Sequence, residues 1–504
     1  MSRARIHLQH LVKKRVALFL ALSFTYTGTV NVSHAADKCS KGHFGLRGLI
    51  YQFNDETMRG HVFANAVEAG VKWCQTIARW QKIEPNRPRN GVHHYEWALL
   101  DDFVKTAFNH GICVNIIFKS YSKWGAKKSG IVSSETKKGG QIFQSAPPDR
   151  SHLSDWRAFV KAVVERYDGD GKGQEPSFVT SKNNVKYWHI ESEPGGHYPA
   201  KWNKKPGSIF WYGRPDEYAE HFVETVGVIK GADKGAKVVL GGFVSKSVLD
   251  DPKKSYVFQV LEAVRRIEKR TGIPYFDIFD CHHFRNISLI DEVGKGVDDI
   301  LKANGFWGKR KWVTQTTLGS RVLNRTFQGE ILRREYLRYM SRDLVKRYVS
   351  FFANGFEKVF YVKLVDSGSD SEGEVFSKFR RRLFRKRPFY KYYGLIDSGL
   401  KRKPLYYTYK LSAEKLDFFT SVAEVKTTCA NLKCYEFTFD EKDSVYVAWS
   451  LVEQTSYCNL QTYFGKKNIK ITQIVEHEGK SIPDVRVVSS SSVPVSLSPV
   501  FLEN

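Results

Sequence analysis

The chain has 504 residues, with 79 Lys+Arg against 53 Asp+Glu, a net charge of +26 and 42% apolar residues. That composition excludes disorder over most of its length, and equally a collagen or coiled-coil fibre. The length calls for two or more domains, or one large barrel with a smaller companion. The basic excess points to nucleic acid, an anionic membrane or an acidic polymer.

The N-terminus narrows those choices. Arg3, Arg5, Lys13, Lys14 and Arg15 precede the apolar run VALFLALSF, and a small-residue site follows at Ser33-His34-Ala35. This is the layout of a secretory signal peptide over 1–35, whose apolar core is short for a membrane span, so no span is expected after cleavage; the alternative is an uncleaved N-terminal anchor. A secreted or periplasmic and cell-envelope location follows, and with it no nucleic-acid partner. An oxidising compartment also permits disulfides. One bridge is expected among Cys429, Cys434 and Cys458, whereas Cys74, Cys113 and Cys281 lie in apolar strand-like runs and read as buried thiols. No CxxC pair or His-rich cluster suggests zinc, and no cofactor is expected.

Strands are predicted near 45–51, 71–77, 112–118, 185–190, 237–242, 275–281, 311–315 and 357–364, from short apolar, β-branched runs. Helical patterns over 97–110, 154–167, 216–231, 252–270 and 330–353 separate them. In the first, Ala98, Leu99, Phe103 and Ala107 share one face. Eight such units predict a (β/α)8 TIM barrel over 40–418. No GxGxxG or GxxxxGK[ST] follows the first strand, so a nucleotide site has no support. Beyond 418 the runs CYEFTF, SVYVAWS, NIKITQIV and VPVSLSPVFL recur without helices, which predicts an all-β sandwich-type domain over 419–504.

Polar residues at the C-terminal ends of barrel strands are the first candidates for chemistry. The fourth strand ends in Trp188-His189-Ile190-Glu191-Ser192-Glu193-Pro194. Alternation puts Glu191 and Glu193 on the same side, where one carboxylate would raise the pKa of the other and suit it to general acid work. The plainer reading makes one or both of them solvent-facing loop acids.

The wider pattern resembles clan A glycoside hydrolases, in the style of families 5 and 39. The segment GVKWCQTIARWQKIEPNRPRNGVHHYEWALLDDFVKTAFNHGICVNIIF is similar to their strands 2 and 3. VVERYDGDG, WHIESEP in the place of W-x-x-x-N-E-P, EYAEHFVETVGVIKGADKGAKVVLGG, FDIFDCHHF and YYGLIDSGLKRKPLYYTYKL follow in order. The resemblance implies a Glu after strand 4 as acid/base and a Glu after strand 7 as nucleophile. Carried over by motif, Glu193 takes the acid/base position, Trp80 the strand 2 aromatic and His283 the strand 6 histidine. The sequence departs from the pattern at three places. Gln315 stands at the nucleophile position, Ser192 replaces the Asn before the acid/base, and Gln75 replaces the strand 2 Arg. An amide cannot supply a nucleophile or a full negative charge to an oxocarbenium ion, so covalent retaining catalysis is hard to sustain.

Three functions follow as expectations. The first is an exported hydrolase of O-glycosidic bonds in a polysaccharide, with Glu193 as proton donor. Water held by Gln315, Glu191 or Asp280 would then attack, or a substrate 2-acetamido group would assist. The second is an inactive carbohydrate-binding pseudoenzyme, and the third a structural envelope protein on anionic polymers. Trp80, Trp124, Tyr198, Trp202, Trp211 and Tyr212 are candidate sugar-stacking aromatics, about half of them expected to be packing residues instead. Lys119, Lys123, Lys127, Lys128, Lys137 and Lys138, with the basic stretch 378–403, are expected to form a positive rim suited to an anionic glycan. The bland alternative for that stretch is a solvated surface.

Overall fold

The computed structural model describes residues 41–49, 56–127, 145–195, 210–211, 213–252, 255–319, 333–366 and 393–504. The signal-peptide segment, Tyr198, Trp202, Tyr212 and most of the basic stretch 378–403 lie outside them. Eight parallel strands close into a barrel in sequence order: β1 (Phe44–Gly48), β2 (Trp73–Arg79), β3 (Cys113–Lys119), β4 (Tyr187–Ile190), β5 (Lys237–Val244), β6 (Ile278–His282), β7 (Arg310–Thr316) and β8 (Phe356–Lys363). The helices between and after them are α1 (Glu56–Glu68), α2 (Ala98–Asn109), α3 (Leu153–Tyr167), α4 (Pro215–Ala232), α5 (Tyr256–Thr271), α6 (Ile290–Ala303), α7 (Arg333–Ala353) and α8 (Pro404–Leu416). The TIM-barrel expectation is met.

Local chemistry sets the helix ends. Pro215 opens α4, where the Glu217 carboxylate accepts from the Arg214 N–H at 2.9 Å. The Ser255 hydroxyl caps α5 by accepting from Phe258 N–H, and Gly272 closes it with a φ of 71°. Helix α2 buries Leu100, Phe103, Val104 and Ala107. Leu99 is 80% exposed, so the face assigned from the sequence was rotated by one residue. No helix among the described residues is long and apolar enough to cross a membrane.

Alternation along the strands builds the barrel interior in layers. Trp73, Val239, Ile278, Trp312 and Phe360 form an apolar cluster with Tyr187 packed on it. Two residues further along their strands stand Gln75, His189, Asp280 and Thr314. Asn115 joins them from β3. The layer above the apolar floor is therefore polar, and it lies directly beneath the strand ends.

After α8 the chain is mainly β, with one short helical turn at Gln461–Phe464 that the expectation of helix-free runs did not include. The strands are β9 (Ser421–Glu424), β10 (Leu432–Thr438), β11 (Val445–Ser450), β12 (Ser456–Cys458), β13 (Asn468–Gln473), β14 (Val485–Ser489), β15 (Val493–Val495) and β16 (Val500–Glu503). Six form an antiparallel sheet in the order β14-β13-β16-β11-β10-β9, and β12 pairs with β15. This region packs on α7 and α8. Arg338 and Arg342 hold the buried Glu476, and Thr408 donates to the Val475 carbonyl. A Cys429–Cys458 disulfide ties its loops and leaves Cys434 a buried thiol. Cys74 and Cys281 are buried thiols as expected, but Cys113 is disulfide-bonded. Its apolar strand context carried no signal of the bridge.

Candidate functional site

The site grows from the end of β4. Glu191 and Glu193 both adopt positive φ, 61° and 54°. Two left-handed non-glycine residues within three positions break the alternation of the strand. The two carboxylates therefore part company, against the expectation that they share a side. Glu191 turns into the barrel wall, where it is fully buried. It accepts from the Ser120 N–H and hydroxyl, each at 2.8 Å, and pairs with Lys119 at 3.1 Å, with His221 at 3.7 Å. Burial works to raise its pKa, yet the Lys119 charge and hydrogen bonds from His221 and Ser145 hold it down at about 2. Burial lowers the pKa of Lys119, against the pull of Glu191. The pair stays ionised, because each group is the counter-charge of the other.

Glu193 turns toward β6. Its Oε1 lies 3.0 Å from His282 Nδ1. The other ring nitrogen, Nε2, faces Asp280 Oδ2 at 3.2 Å and Thr314 Oγ1 at 3.0 Å. Burial works to lower the pKa of His282, but Asp280 and Glu193 overcome it and raise it above 6.5. The imidazole thus sits between two carboxylates, Nδ1 facing Glu193 and Nε2 facing Asp280. Below it, Asp280 accepts from Thr314 N–H at 2.8 Å and from the Thr314 hydroxyl at 2.5 Å. The polar layer continues through His189, 3.7 Å from Asp280, to Gln75, whose Nε2 lies 3.2 Å from His189 Nδ1 and donates to Asn115 Oδ1 at 2.7 Å. Gly242 makes room for this arrangement. With a φ of 71°, it sits where a Cβ would approach His282 Nε2 to 2.8 Å.

Gln315 donates from Nε2 to the Ser192 hydroxyl at 3.3 Å. It reaches across from β7 to the residue just before Glu193, beside an irregular register of β7 on β8 between Val313 and Thr316. The structure thus brings together Glu193, Ser192 and Gln315, and places Gln75 in the polar layer below them.

The remaining candidates stand elsewhere. The histidine that reaches Glu193 is His282, not His283. His283 points out of the barrel toward α7, 2.9 Å from the Ser245 hydroxyl and edge-on to Phe351, and burial pushes its pKa down to about 3. Trp80 is fully buried, donates to Glu84 at 2.8 Å and packs on Trp124 and Trp156. Trp211 is also fully buried, stacked on His221. Neither ring offers a face to a sugar. The expected positive rim is also partly spent. Lys119 is held by Glu191, Lys127 pairs with Glu217 at 2.7 Å, Arg402 pairs with Glu68, and Lys403 with Asp366 at 2.9 Å.

Sequence reading missed His282 and Thr314 as partners of Glu193 and Asp280, and Lys119 as the partner of Glu191. A signal for Thr314 did exist, since it lies two residues beyond the buried Trp312. The path of Lys119 to Glu191 depends on the left-handed turn after β4, which no spacing announces.

Hydrolysis by the usual routes needs two carboxylates, about 5–5.5 Å apart for retention or 6.5–9.5 Å for inversion. Among the described strand-end acids other than Glu193, Glu191 is spent on Lys119, Asp366 on Lys403, and Asp280 is sealed beneath His282.

No family model and no curated sequence matches the chain. Solved structures do match in fold. A family 39 glycoside hydrolase from the gut symbiont Bacteroides cellulosilyticus is 15% identical, with a TM-score of 0.60, covering 92% of this chain and 81% of its own. A GH39 β-xylosidase from Caulobacter crescentus is 13% identical, with a TM-score of 0.57, covering 89% of this chain and 92% of its own. A conserved exported protein from Bacteroides fragilis is 12% identical, with a TM-score of 0.59, covering 92% and 97%. At these identities the likeness is one of architecture: the chain has the barrel and β-domain fold of family 39-like glycoside hydrolases.

Proposed function

We propose that this chain is a carbohydrate-binding barrel of glycoside-hydrolase fold that recognises a polysaccharide at the C-terminal ends of its strands and does not carry out retaining hydrolysis. The observation that carries the reading is the amide of Gln315 set against Ser192, beside Glu193. A neutral amide both donates and accepts, which suits a sugar hydroxyl, and it cannot form a glycosyl ester. The Glu193 carboxyl adds a further polar group to meet sugar hydroxyls. The family-like fold supports a carbohydrate ligand.

The Glu193–His282–Asp280 chain favours a second reading, a hydrolase in which Glu193 is the proton donor. His282 could pass its Nδ1 proton to Glu193 and recover one along the polar layer. Glycan-array binding with product analysis separates the two. Wild-type protein and Gln315→Glu are compared with Glu193→Gln. Binding without product in the wild type, with hydrolysis gained in Gln315→Glu, is expected. Wild-type hydrolysis that disappears in Glu193→Gln would overturn the binding-only reading and establish the second.

A further inference from the structure

The connection from α3 to β4 lies at the opposite end of the barrel from Glu193. It begins Asp168-Gly169-Asp170-Gly171-Lys172-Gly173-Gln174-Glu175. One carboxylate oxygen from each of Glu165, Asp168 and Asp170 lies within 4.8 Å of the other two. An acidic cluster alone says little, but Asp168 adds a separate observation. It is fully buried, its Oδ1 accepts from Asp170 N–H at 3.2 Å, and its Oδ2 has no hydrogen-bond partner. A buried carboxylate oxygen with nothing to neutralise it is strongly unfavourable.

Local side chains do not supply the missing charge. Lys172 is taken by Asp170 at 2.5 Å and Lys186 by Asp233 at 2.9 Å. Arg166 is turned to Asp101, also at 2.5 Å. Glu165, Asp168 and Glu175 are left over, in a chain that is otherwise strongly basic. The Glu175 carboxylate is also turned into the loop, accepting from Gly171 N–H at 3.1 Å.

The backbone fits an ion-binding turn. Gly169 and Gly171 have φ of 73° and 78°, and a Cβ on Gly173 would approach the Glu165 carbonyl oxygen to 2.4 Å. The loop therefore folds back tightly on the end of α3. The spacing Asp-x-Asp-x-x-Gly matches the opening of calcium-binding loops, in which acids at the first and third positions and a glycine at the sixth surround the ion. Lys172 stands at the fifth position, where such loops carry another oxygen ligand.

We propose that this loop binds a divalent cation of the calcium class through Glu165, Asp168 and Asp170, and that the ion ties the end of α3 to the chain entering β4. Lys172 holds Asp170 when the cation is absent and swings out when it binds. The competition makes this a weak site, of the kind suited to the millimolar calcium outside cells.

Calorimetric titration of the chelator-treated full chain with calcium chloride tests this, alongside thermal unfolding with and without the ion. Binding with a Kd of about 10⁻⁴–10⁻³ M and a higher unfolding temperature are expected. Asp168→Asn should weaken binding at least about tenfold, and Lys172→Asp, which removes the competitor and adds a ligand, should tighten it about tenfold. Should Asp168→Asn fail to fold, Glu165→Gln takes its place with the same expectation. Absence of binding heat up to about 10 mM calcium would overturn the proposal. So would wild-type affinity in the carboxylate variant, or a Lys172→Asp protein that binds no tighter.

Discussion

Glu191→Gln is the sharpest test of how the strand-end acids divide their roles. Its carboxylate is fully buried and its pKa falls from 4.5 to about 2. That difference is worth about 3 kcal/mol of folding stability, with no discount for solvent screening at a buried site. The glutamine can still accept from Ser120, but it leaves Lys119 buried without its counter-charge. The expected cost at pH 7 is therefore about 3–5 kcal/mol. The sign follows from the direction of the shift. A carboxyl whose folded pKa is depressed contributes stability that is fully present above 4.5 and is lost as the pH falls through about 2. The difference between wild type and variant should therefore shrink across that window. Urea unfolding followed by tryptophan fluorescence, at neutral pH and at several points down to about pH 2.5, measures it. A cost below about 1 kcal/mol at pH 7, or one that does not change with pH, would refute the assignment of Glu191 as an ion-paired wall residue.

Two further outcomes follow from the structure. Lys358 is buried at the barrel floor over Trp73 and Trp312, and burial lowers its pKa from 10.5 to about 7. Charging it costs stability at low pH, so Lys358→Met should stabilise the protein by about 1–3 kcal/mol at pH 6, net of the lost hydrogen bond to Gly42, with the gain fading as the pH rises from about 7 to 10.5, as read by urea midpoints. Cys429→Ser opens a disulfide that spans 29 residues and should cost about 3–4 kcal/mol, seen as a lower denaturation midpoint for the β-region under non-reducing conditions.

The sequence by itself determined the architecture. Eight apolar, β-branched runs separated by amphipathic stretches admit few folds other than a closed parallel barrel, because a parallel sheet needs a crossover after each strand and a helix to cover it. The shift to helix-free runs after 418 marked the β-region as clearly. Gln315 was also legible, since its place on the seventh strand and its amide chemistry follow from order and residue type. The opening charge of +26 was legible too, but not its distribution. Lys119, Lys127, Arg402 and Lys403 are spent on carboxylates far away in sequence.

Only the tertiary structure decided which polar side chains meet. Alternation assigned Glu191 and Glu193 to one face, but two left-handed residues in the turn after β4 sent them to different neighbours. His282 and His283 are adjacent, so opposite sides of one strand gave one to Glu193 and the other to α7. The same holds for Trp80 after the second strand and Trp211 in the loop after the fourth, whose positions suggested a ligand while packing buried them. Period and composition are properties of short windows, and they fix secondary structure. Which carboxylate finds a lysine, and which finds a histidine, is settled by backbone turns and by strands that are distant in sequence and adjacent only in the closed barrel.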